Sequence, residues 1–286
     1  MNFRYFAGFL LVAFPAISSA AALRPETLRA WDEYVQKVES RTLADPGANG
    51  PFLQIDQDPQ QAGRVRGGEI IADSRNGPNG QAIPHGLIHD WMATVFIPGV
   101  TIAQVSAILR DYQRYPEFYK PSMLDAALIR RTGAAGSSGE EERFRVRTAE
   151  KFLFLSAIVE SEYLVHHYQR DERRWYSISQ STRIQELRTP DQPGENSPAG
   201  DEGARFVWRI FCLSKYEQKD GGVYVEQENI VLSRGIPISL RWMVESAIRQ
   251  VSRDMAVAAL RETRNAVQLV TQGRSTSPSA AVKSGG

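Results

Sequence analysis

The chain has 286 residues, 42% of them hydrophobic, and a formal net charge of +1. This length suits one large domain or two small ones with a sizeable core, and the near-neutral charge gives no electrostatic basis for nucleic-acid binding. The single cysteine, Cys212, excludes an intramolecular disulfide, so stability must come from burial.

The first 22 residues have the pattern of a secretory signal peptide. Arg4 supplies a positive charge, residues 5–17 are mainly apolar, and residues 18–22 are small. The apolar run is too short for the roughly 20 residues that cross a bilayer. We expect cleavage after Ala20 or Ala22 and, since no nearby cysteine can accept a lipid, a periplasmic or secreted product.

Residues 23–84 are predicted to form an N-terminal helix and an extended arm. Apolar residues recur at helical spacing over residues 23–40. Residues 42–84 lose this periodicity and are rich in glycine and proline, with short extended pieces at residues 52–55 and 69–72. We interpret this segment as an arm that packs on the main body.

A strand and two short helices follow the arm. Residues 88–97 predict a strand. Thr101 and Gln104 form a capping-box signature at the start of a helix. A second helical piece over residues 112–119 is interrupted by Pro116.

Six β-rich segments come next, separated by turn residues and with no helix between them. Consecutive strands without helical crossovers pair as hairpins, so the sheet is predicted to be antiparallel. The one long excursion is the loop of residues 189–203. The predicted strands are residues 123–131, 141–154, 157–169, 175–187, 204–216 and 222–233.

The chain is predicted to end in one long helix and a disordered tail. Residues 238–270 carry an apolar stripe that includes Val251, Met255 and Val267. At about 1.5 Å per residue, this helix is long enough to cross a whole sheet. Residues 271–286 are rich in Gly, Ser, Pro and Ala, which predicts disorder.

The order of elements over residues 85–270 resembles the START and pollen-allergen superfamily (SRPBCC), which includes polyketide cyclase/dehydrase and lipid-transport proteins. The segment Tyr115-Pro116-Glu117-Phe118 is similar to one that follows the first helix in coenzyme-Q-binding members. The resemblance implies an α+β helix-grip fold, in which a curved antiparallel sheet of about seven strands wraps around a long C-terminal helix. It also implies a cavity between sheet and helix for an apolar small molecule.

Alternation along two strands indicates which side chains face that cavity. Phe144 and Val146 belong to the predicted inner face of one strand, and Arg145 and Arg147 to its outer face. On the next strand, the glutamates are expected to pair with these arginines across the outer surface, leaving the apolar set inside.

Three other strands are harder to orient. Tyr176, Ile178 and Ile184 are predicted to point inward, and Ser177, Ser179 and Ser181 outward. Residues 204–216 leave both faces as candidates. In residues 222–233, either the valines point inward or Tyr224, Glu226 and Glu228 do. The second alternative places two carboxylates in the cavity and requires cationic partners, for which Arg209 and Arg234 are candidates.

The candidate ligand-binding residues come from the aromatic segment before the second predicted strand, from predicted inner positions of the strands, and from the long helix. In the related fold, the aromatic segment lies beside the end of the long helix, so its rings either cover the cavity mouth or fill a corner of the core. The candidates are Tyr112, Tyr115, Phe118, Tyr119, Val146, Thr148, Tyr163, Tyr176, Ile178, Trp208, Tyr224, Glu226, Trp242 and Ile248.

No catalytic residue, cofactor or metal site is predicted. His85 and His89 are four residues apart, but the following strand denies them a shared helical face. His166 and His167 are adjacent on a strand and must point to opposite faces. The sequence has no nucleophile elbow, P-loop or dinucleotide fingerprint.

Three functional classes fit these features. The leading one is an exported carrier or sensor of a lipid, quinone or polyketide-like molecule. Transient membrane contact is compatible with this class, and no protein partner is predicted. The second is a cyclase or hydrolase-like enzyme, which requires convergent polar residues such as Tyr176, Arg209, Glu226 and Glu228. The third is an envelope interaction protein whose cavity is filled by its own side chains.

Overall fold

The computed structural model of the protein describes residues 23–43, 50–133, 139–152, 155–187, 207–235 and 238–275, and over residues 238–252 it describes the backbone alone. The predicted signal peptide, the predicted 189–203 loop and residues 276–286 of the predicted tail lie outside the described residues.

All strands of the described residues belong to one nine-stranded antiparallel sheet. They are β1 (Ile71–Ser74), β2 (Gln81–Ile83), β3 (Gly86–Pro98), β4 (Met123–Thr132), β5 (Glu140–Phe152), β6 (Leu155–Gln169), β7 (Arg174–Leu187), β8 (Val207–Lys219) and β9 (Gly222–Arg234). Their order is β1-β3-β9-β8-β7-β6-β5-β4, and β2 also pairs with β3. The α+β class, the curved antiparallel sheet and the long C-terminal helix are confirmed. The predicted count of about seven strands holds for β3 to β9. The arm adds β1 and β2, which are too short for their sequences to show the alternation of apolar and polar residues.

Five helices accompany the sheet. They are α1 (Pro25–Leu43), α2 (Pro59–Arg66), α3 (Ile102–Leu109), α4 (Tyr115–Phe118) and α5 (Ile238–Ser275), with 3-10 turns at Gln54–Gln57 and Tyr112–Arg114. The predicted capping box is present, since the side chains of Thr101 and Gln104 each bond the other residue's backbone N–H. The prediction of an extended piece over residues 52–55 is wrong, because a 3-10 turn begins at Gln54. The sequence reading also missed α2, whose N-cap Asp58 accepts hydrogen bonds from two backbone N–H groups.

The two faces of the sheet are covered by different parts of the chain. On the side called here the helix face, Ala93, Val95 and Val225 pack with Ala256 and Leu260 of α5. The opposite side, called here the arm face, packs against α1 and the segment of residues 50–66. Strands β3 and β9 are therefore buried on both sides.

The arm face is a second apolar core. Trp31 and Val38 of α1 pack with Ile88 and Leu232, among other residues of the sheet. Farther along the same face, Leu53 and others of the arm pack with aromatic residues of β3 and β9. Residues 50–66, part of the segment interpreted as an arm over residues 42–84, pack on this face of the sheet.

In the part of α5 whose side chains the structure describes, the buried stripe includes Ala256, Leu260, Thr263 and Val267. These residues are three or four positions apart, as one face of a helix requires. Met255, which the sequence reading placed on the stripe, is 55% exposed. Its neighbour Ala256 is buried instead because one residue turns the helix by about 100°. The side chain of Val251 lies outside the described residues.

Within the described residues, no helix combines the length and the apolar character that a membrane crossing requires.

Candidate functional site

Five aromatic rings in mutual contact line the helix face beside β5 and β6. Tyr112 stacks on Phe144 with centroids 4.5 Å apart, and Phe144 stacks on Tyr163 at 5.2 Å. Tyr115 lies 5.2 Å from Tyr112 and 5.0 Å from Tyr119. We call these five residues the aromatic wall. Rings at these separations attract one another beyond the apolar area they bury.

Hydrogen bonds fix the hydroxyl groups of the wall. Tyr115 donates to the carbonyl of Leu109 at 2.5 Å, and the Tyr119 hydroxyl lies 3.0 Å from that of Thr263 in α5. Burial raises the pKa of Tyr115 well above its usual value and that of Tyr119 to about 12. Both side chains are therefore neutral near pH 7. They present apolar ring surface and uncharged polar tips.

The middle of the helix face carries small side chains. Register pairs Ser177 with Ser214 and Ser179 with Cys212, and it places Ser161 opposite Ile184. Residues directly opposite each other in adjacent strands share a face. We call this group the small-residue floor. Its members are Ser161, Ser177, Ser179, Ser181, Cys212 and Ser214.

The arm face of the same strands shows the opposite pattern. There Ile178, Phe211 and Leu213 pack against α1, and Tyr168 stacks on Tyr176 at 4.7 Å. Large side chains fill the layer beneath the arm, whereas serines and one cysteine form the layer that faces away from it.

Trp175 and Tyr216 border the floor, and both pack at the edge of the core beneath α5. The Tyr216 hydroxyl hydrogen-bonds with Ser177 and Ser214, and burial raises its pKa. The indole N–H of Trp175 is buried and finds no acceptor among the described residues. It is therefore a donor on the helix face available to a bound molecule.

A buried ionic cluster closes the end of the helix face next to Tyr112. Glu140 and Glu142 are fully buried, and Arg110 contacts both of them. Glu142 also accepts hydrogen bonds from Arg131 at 2.6 Å and from Tyr112 at 2.5 Å, and it lies 3.2 Å from His167. Burial alone would raise the pKa of Glu142, but these hydrogen-bond donors and the Arg110 charge lower it well below its usual range.

The sequence reading missed this cluster, although the signal was present. Glu140 and Glu142 have the same parity as Phe144 and Val146, which were predicted to face inward. The prediction that His166 and His167 point to opposite faces is confirmed, because His167 reaches Glu142 while His166 lies opposite Ile178. On the outer surface, the predicted pairing of arginines with glutamates is confirmed by three ion pairs. These are Arg145–Glu160, Arg147–Glu160 and Arg183–Glu162.

Seven of the candidate residues lie on or beside the helix face. Phe118 is buried in the core beneath α5, with its ring under the guanidinium of Arg114. Register places Val146 and Thr148 on the same face as Phe144. The side chains of Trp242 and Ile248 lie outside the described residues. The candidates on or beside the helix face are Tyr112, Tyr115, Phe118, Tyr119, Val146, Thr148 and Tyr163.

Five candidates lie on the arm face, so their predicted place in the cavity is wrong. They are Tyr176, Ile178, Trp208, Tyr224 and Glu226. In β9, the valines face α5, which settles the alternative left open by the sequence. The serines of β7, predicted to point outward, lie on the helix face. The arm supplies a second apolar layer, so an apolar side chain in these strands does not mark the cavity side.

The polar set suggested for an enzyme is not assembled on the helix face. Glu226 is 2% exposed and accepts hydrogen bonds from the backbone N–H groups of Gln54 and Ile55, at 2.9 and 3.1 Å. Glu228 pairs with Arg41 at 2.6 Å. The predicted pairing of these carboxylates with Arg209 or Arg234 is therefore wrong. Their partners come from the arm and α1.

Comparison of the sequence with protein-family models and with curated proteins finds no match. Among solved structures, the chain is similar to a STAR-related lipid transfer protein fragment from Xanthomonas axonopodis, with 14% identity, coverage of 70% of this chain and 93% of that chain, and a TM-score of 0.47. It is also similar to a START superfamily protein from Mycobacterium smegmatis, with 9% identity, 63% and 98% coverage, and a TM-score of 0.40. A third similar structure is the Zhui aromatase/cyclase from a Streptomyces species, with 12% identity, 64% and 96% coverage, and a TM-score of 0.37.

Proposed function

We propose that this protein is a carrier or sensor that binds a mainly apolar, ring-containing small molecule between the helix face and the first half of α5. The observation that carries the proposal is the contrast between the two faces of β7 and β8. The arm face is filled by Ile178, Phe211 and Leu213, whereas the helix face carries the small-residue floor. A bound molecule would supply the volume that the floor lacks.

The chemistry of the borders favours a molecule with rings and a few oxygen atoms, such as a quinone or a polyketide-like compound, over a plain acyl chain. The aromatic wall offers ring faces for stacking. The floor offers hydroxyl groups, and Trp175 offers an indole N–H without an acceptor among the described residues. Carbonyl or hydroxyl oxygens on the ligand would satisfy these groups. A saturated chain would leave them unpaired.

The ionic cluster at Glu142 supports binding by closing one end of this space. Glu142 meets its hydrogen-bond donors within the protein, so it is not available as an acid or base for a substrate. The carrier role is proposed over the enzyme role on this ground and because Tyr176, Glu226 and Glu228 lie on the opposite face.

The proposal predicts that protein purified under native conditions retains a small organic molecule. Native mass spectrometry should show the mature chain with one added mass of a few hundred daltons, which disappears when the chain is denatured. Extraction and accurate mass of the released molecule should show rings and oxygen atoms. A free chain that also fails to bind added naphthoquinone would contradict the proposal.

We propose in addition that the chain is exported. The support is the order of charged, apolar and small residues over residues 1–22. N-terminal sequencing of the native protein should begin at Ala21 or Leu23, and an intact residue 1 would contradict export by cleavage.

A further inference from the structure

Three carboxyl groups are buried on the arm face, far from the proposed ligand. Asp90 of β3 is 1% exposed, and Glu226 and Glu228 of β9 are each 2% exposed. A buried ionised carboxylate is costly unless it is paired and hydrogen-bonded. The partners of all three come partly from the N-terminal segment, so the carboxyl groups and the docking of that segment depend on each other.

Asp90 and Glu228 form the unusual part of this group. They lie on adjacent strands and on the same face, at diagonal positions, because Asp90 pairs with Ile230 and Glu228 with Met92. Two ionised carboxylates buried at neighbouring positions repel each other, which favours a state in which the pair keeps one proton. The Oδ1 atom of Asp90 also accepts no hydrogen bond from an amide, hydroxyl or cationic group of the described residues. The geometry therefore fits one proton shared by the pair.

Helix α1, which covers the arm face, supplies groups that contact this pair. The Tyr34 hydroxyl donates to Oδ2 of Asp90 at 2.8 Å, and Arg41 contacts Glu228 at 2.6 Å. From the sheet side, the neighbouring ionisable groups are Lys215 of β8 and Glu226 of β9. Lys215 is engaged with the Phe52 carbonyl at 3.2 Å.

The charges balance in one protonation state of the pair. With one proton bound, the pair carries a single negative charge, which Arg41 neutralises. With both groups ionised, the second negative charge has no matching cation on α1 and lies in a buried site. Burial, followed by the charge of Glu228, raises the pKa of Asp90 to about 7, so the second ionisation takes place within the physiological range.

We propose that the Asp90–Glu228 pair is a proton-operated latch for helix α1, which holds α1 on the arm face while the pair keeps one proton and loosens it when both groups are ionised. The other contacts of α1 include apolar contacts of Trp31 and Val38, a hydrogen bond from Thr27 to the Pro84 carbonyl at 2.8 Å, and a contact of Glu26 with His85 at 3.3 Å. A terminal helix held in this way can open locally while the sheet stays folded.

The direction of the pH effect follows from linkage. Asp90 binds its proton more tightly when α1 is docked on the arm face than when α1 has opened. In the opened protein, the pKa of Asp90 returns towards its ordinary value of 3.8. Docking is therefore strongest at low pH and weakens as pH rises from about 4 to about 7, after which the effect levels off. For one linked proton, the opening equilibrium changes by up to about tenfold per pH unit within that window.

Hydrogen–deuterium exchange of the full chain tests the latch, with protection factors corrected for the intrinsic pH dependence of exchange. Between pH 5 and pH 7, the opening constant of amides in α1 should rise by up to about 100-fold, while amides in the centre of β9 change far less. Asp90→Asn should abolish this slope, because the amide can hydrogen-bond to Glu228 and Tyr34 but cannot ionise. The matched control is Asp125→Asn on β4, whose carboxylate is half-exposed and pairs with Arg145; it should keep the wild-type slope.

If Asp90→Asn folds poorly, a second variant, Tyr34→Phe, still tests the latch. The hydrogen bond from Tyr34 lowers the pKa of Asp90, so Tyr34→Phe should move the pH window of α1 opening upward without abolishing it. Protection of α1 that does not change between pH 5 and pH 8 in the wild type would overturn the latch. A slope that Asp90→Asn leaves unchanged would overturn it as well.

Discussion

At the scale of single residues, the buried carboxyl groups show how burial and partners decide the behaviour of one residue type. Glu142 receives hydrogen bonds from two arginines and a tyrosine, and its pKa is lowered. Asp90 receives one from a tyrosine and faces another carboxyl group, and its pKa is raised. The first group favours the folded protein when ionised, and the second favours it when protonated. Their effects on stability therefore have opposite signs as pH rises.

The Glu142 cluster gives a prediction about stability. Glu142→Gln should destabilise the protein by about 3 kcal/mol, because it leaves Arg110 partly buried without its full countercharge. Since the pKa of Glu142 is lowered by folding, its contribution is present above about pH 4.5 and is lost as pH falls. Urea unfolding at pH 7 and at lower pH measures both effects.

The control is Glu162→Gln on the outer surface of β6, where Glu162 lies 3.5 Å from Arg183. A partly exposed pair of this kind should contribute less than about 1 kcal/mol. If both substitutions lower the free energy of unfolding by the same amount, the Glu142 cluster does not stabilise the protein as a buried ionic cluster should.

At the scale of elements, most helices and strands are predictable because their signals are local. The capping box at Thr101 starts α3, and hairpin turns end the strands close to the predicted bounds. The orientation of strands was not predictable in the same way. Alternation separates the two faces of β7 and β9. It cannot show which of them is the helix face, because α1 and the arm bury the other face as well. A bulge near Ser181 also changes the parity of β7, so Ile184 faces α5 although Ile178 does not.

The packing of α5 gives a prediction at this scale with a matched pair of leucines. Leu260 is 2% exposed in the core, and Leu269 is 60% exposed on the same helix. Leu260→Ala should destabilise the protein by about 2 to 5 kcal/mol, through lost burial and the cavity it leaves. Leu269→Ala should change stability by no more than about 0.5 kcal/mol. Chemical denaturation compares the two, and equal losses would show that the assigned face of α5 is wrong.

At the scale of the whole molecule, one sheet carries two cores of different character. The arm face carries large apolar residues and the buried Asp90–Glu228 pair. The helix face combines a filled region beneath the second half of α5 with the small-residue floor. The sequence predicted the curved antiparallel sheet and the long C-terminal helix from the order of the elements and from the superfamily resemblance. It could not predict the floor, because serines on a strand are typical of a solvated surface and only the register of β6, β7 and β8 shows that they point inward.

The most direct test of ligand binding on the helix face is native mass spectrometry of two leucine variants on neighbouring positions of β7. Ser179→Leu adds a side chain to the floor, whereas Gln180→Leu adds the same side chain on the other face of the strand, at an exposed position. Both variants should fold, since the proposed ligand space accommodates the first side chain and the second faces solvent. The account predicts that wild type and Gln180→Leu carry the bound molecule or added naphthoquinone at equal occupancy, and that Ser179→Leu loses most of it. Equal occupancy in all three proteins would contradict a ligand site on the helix face.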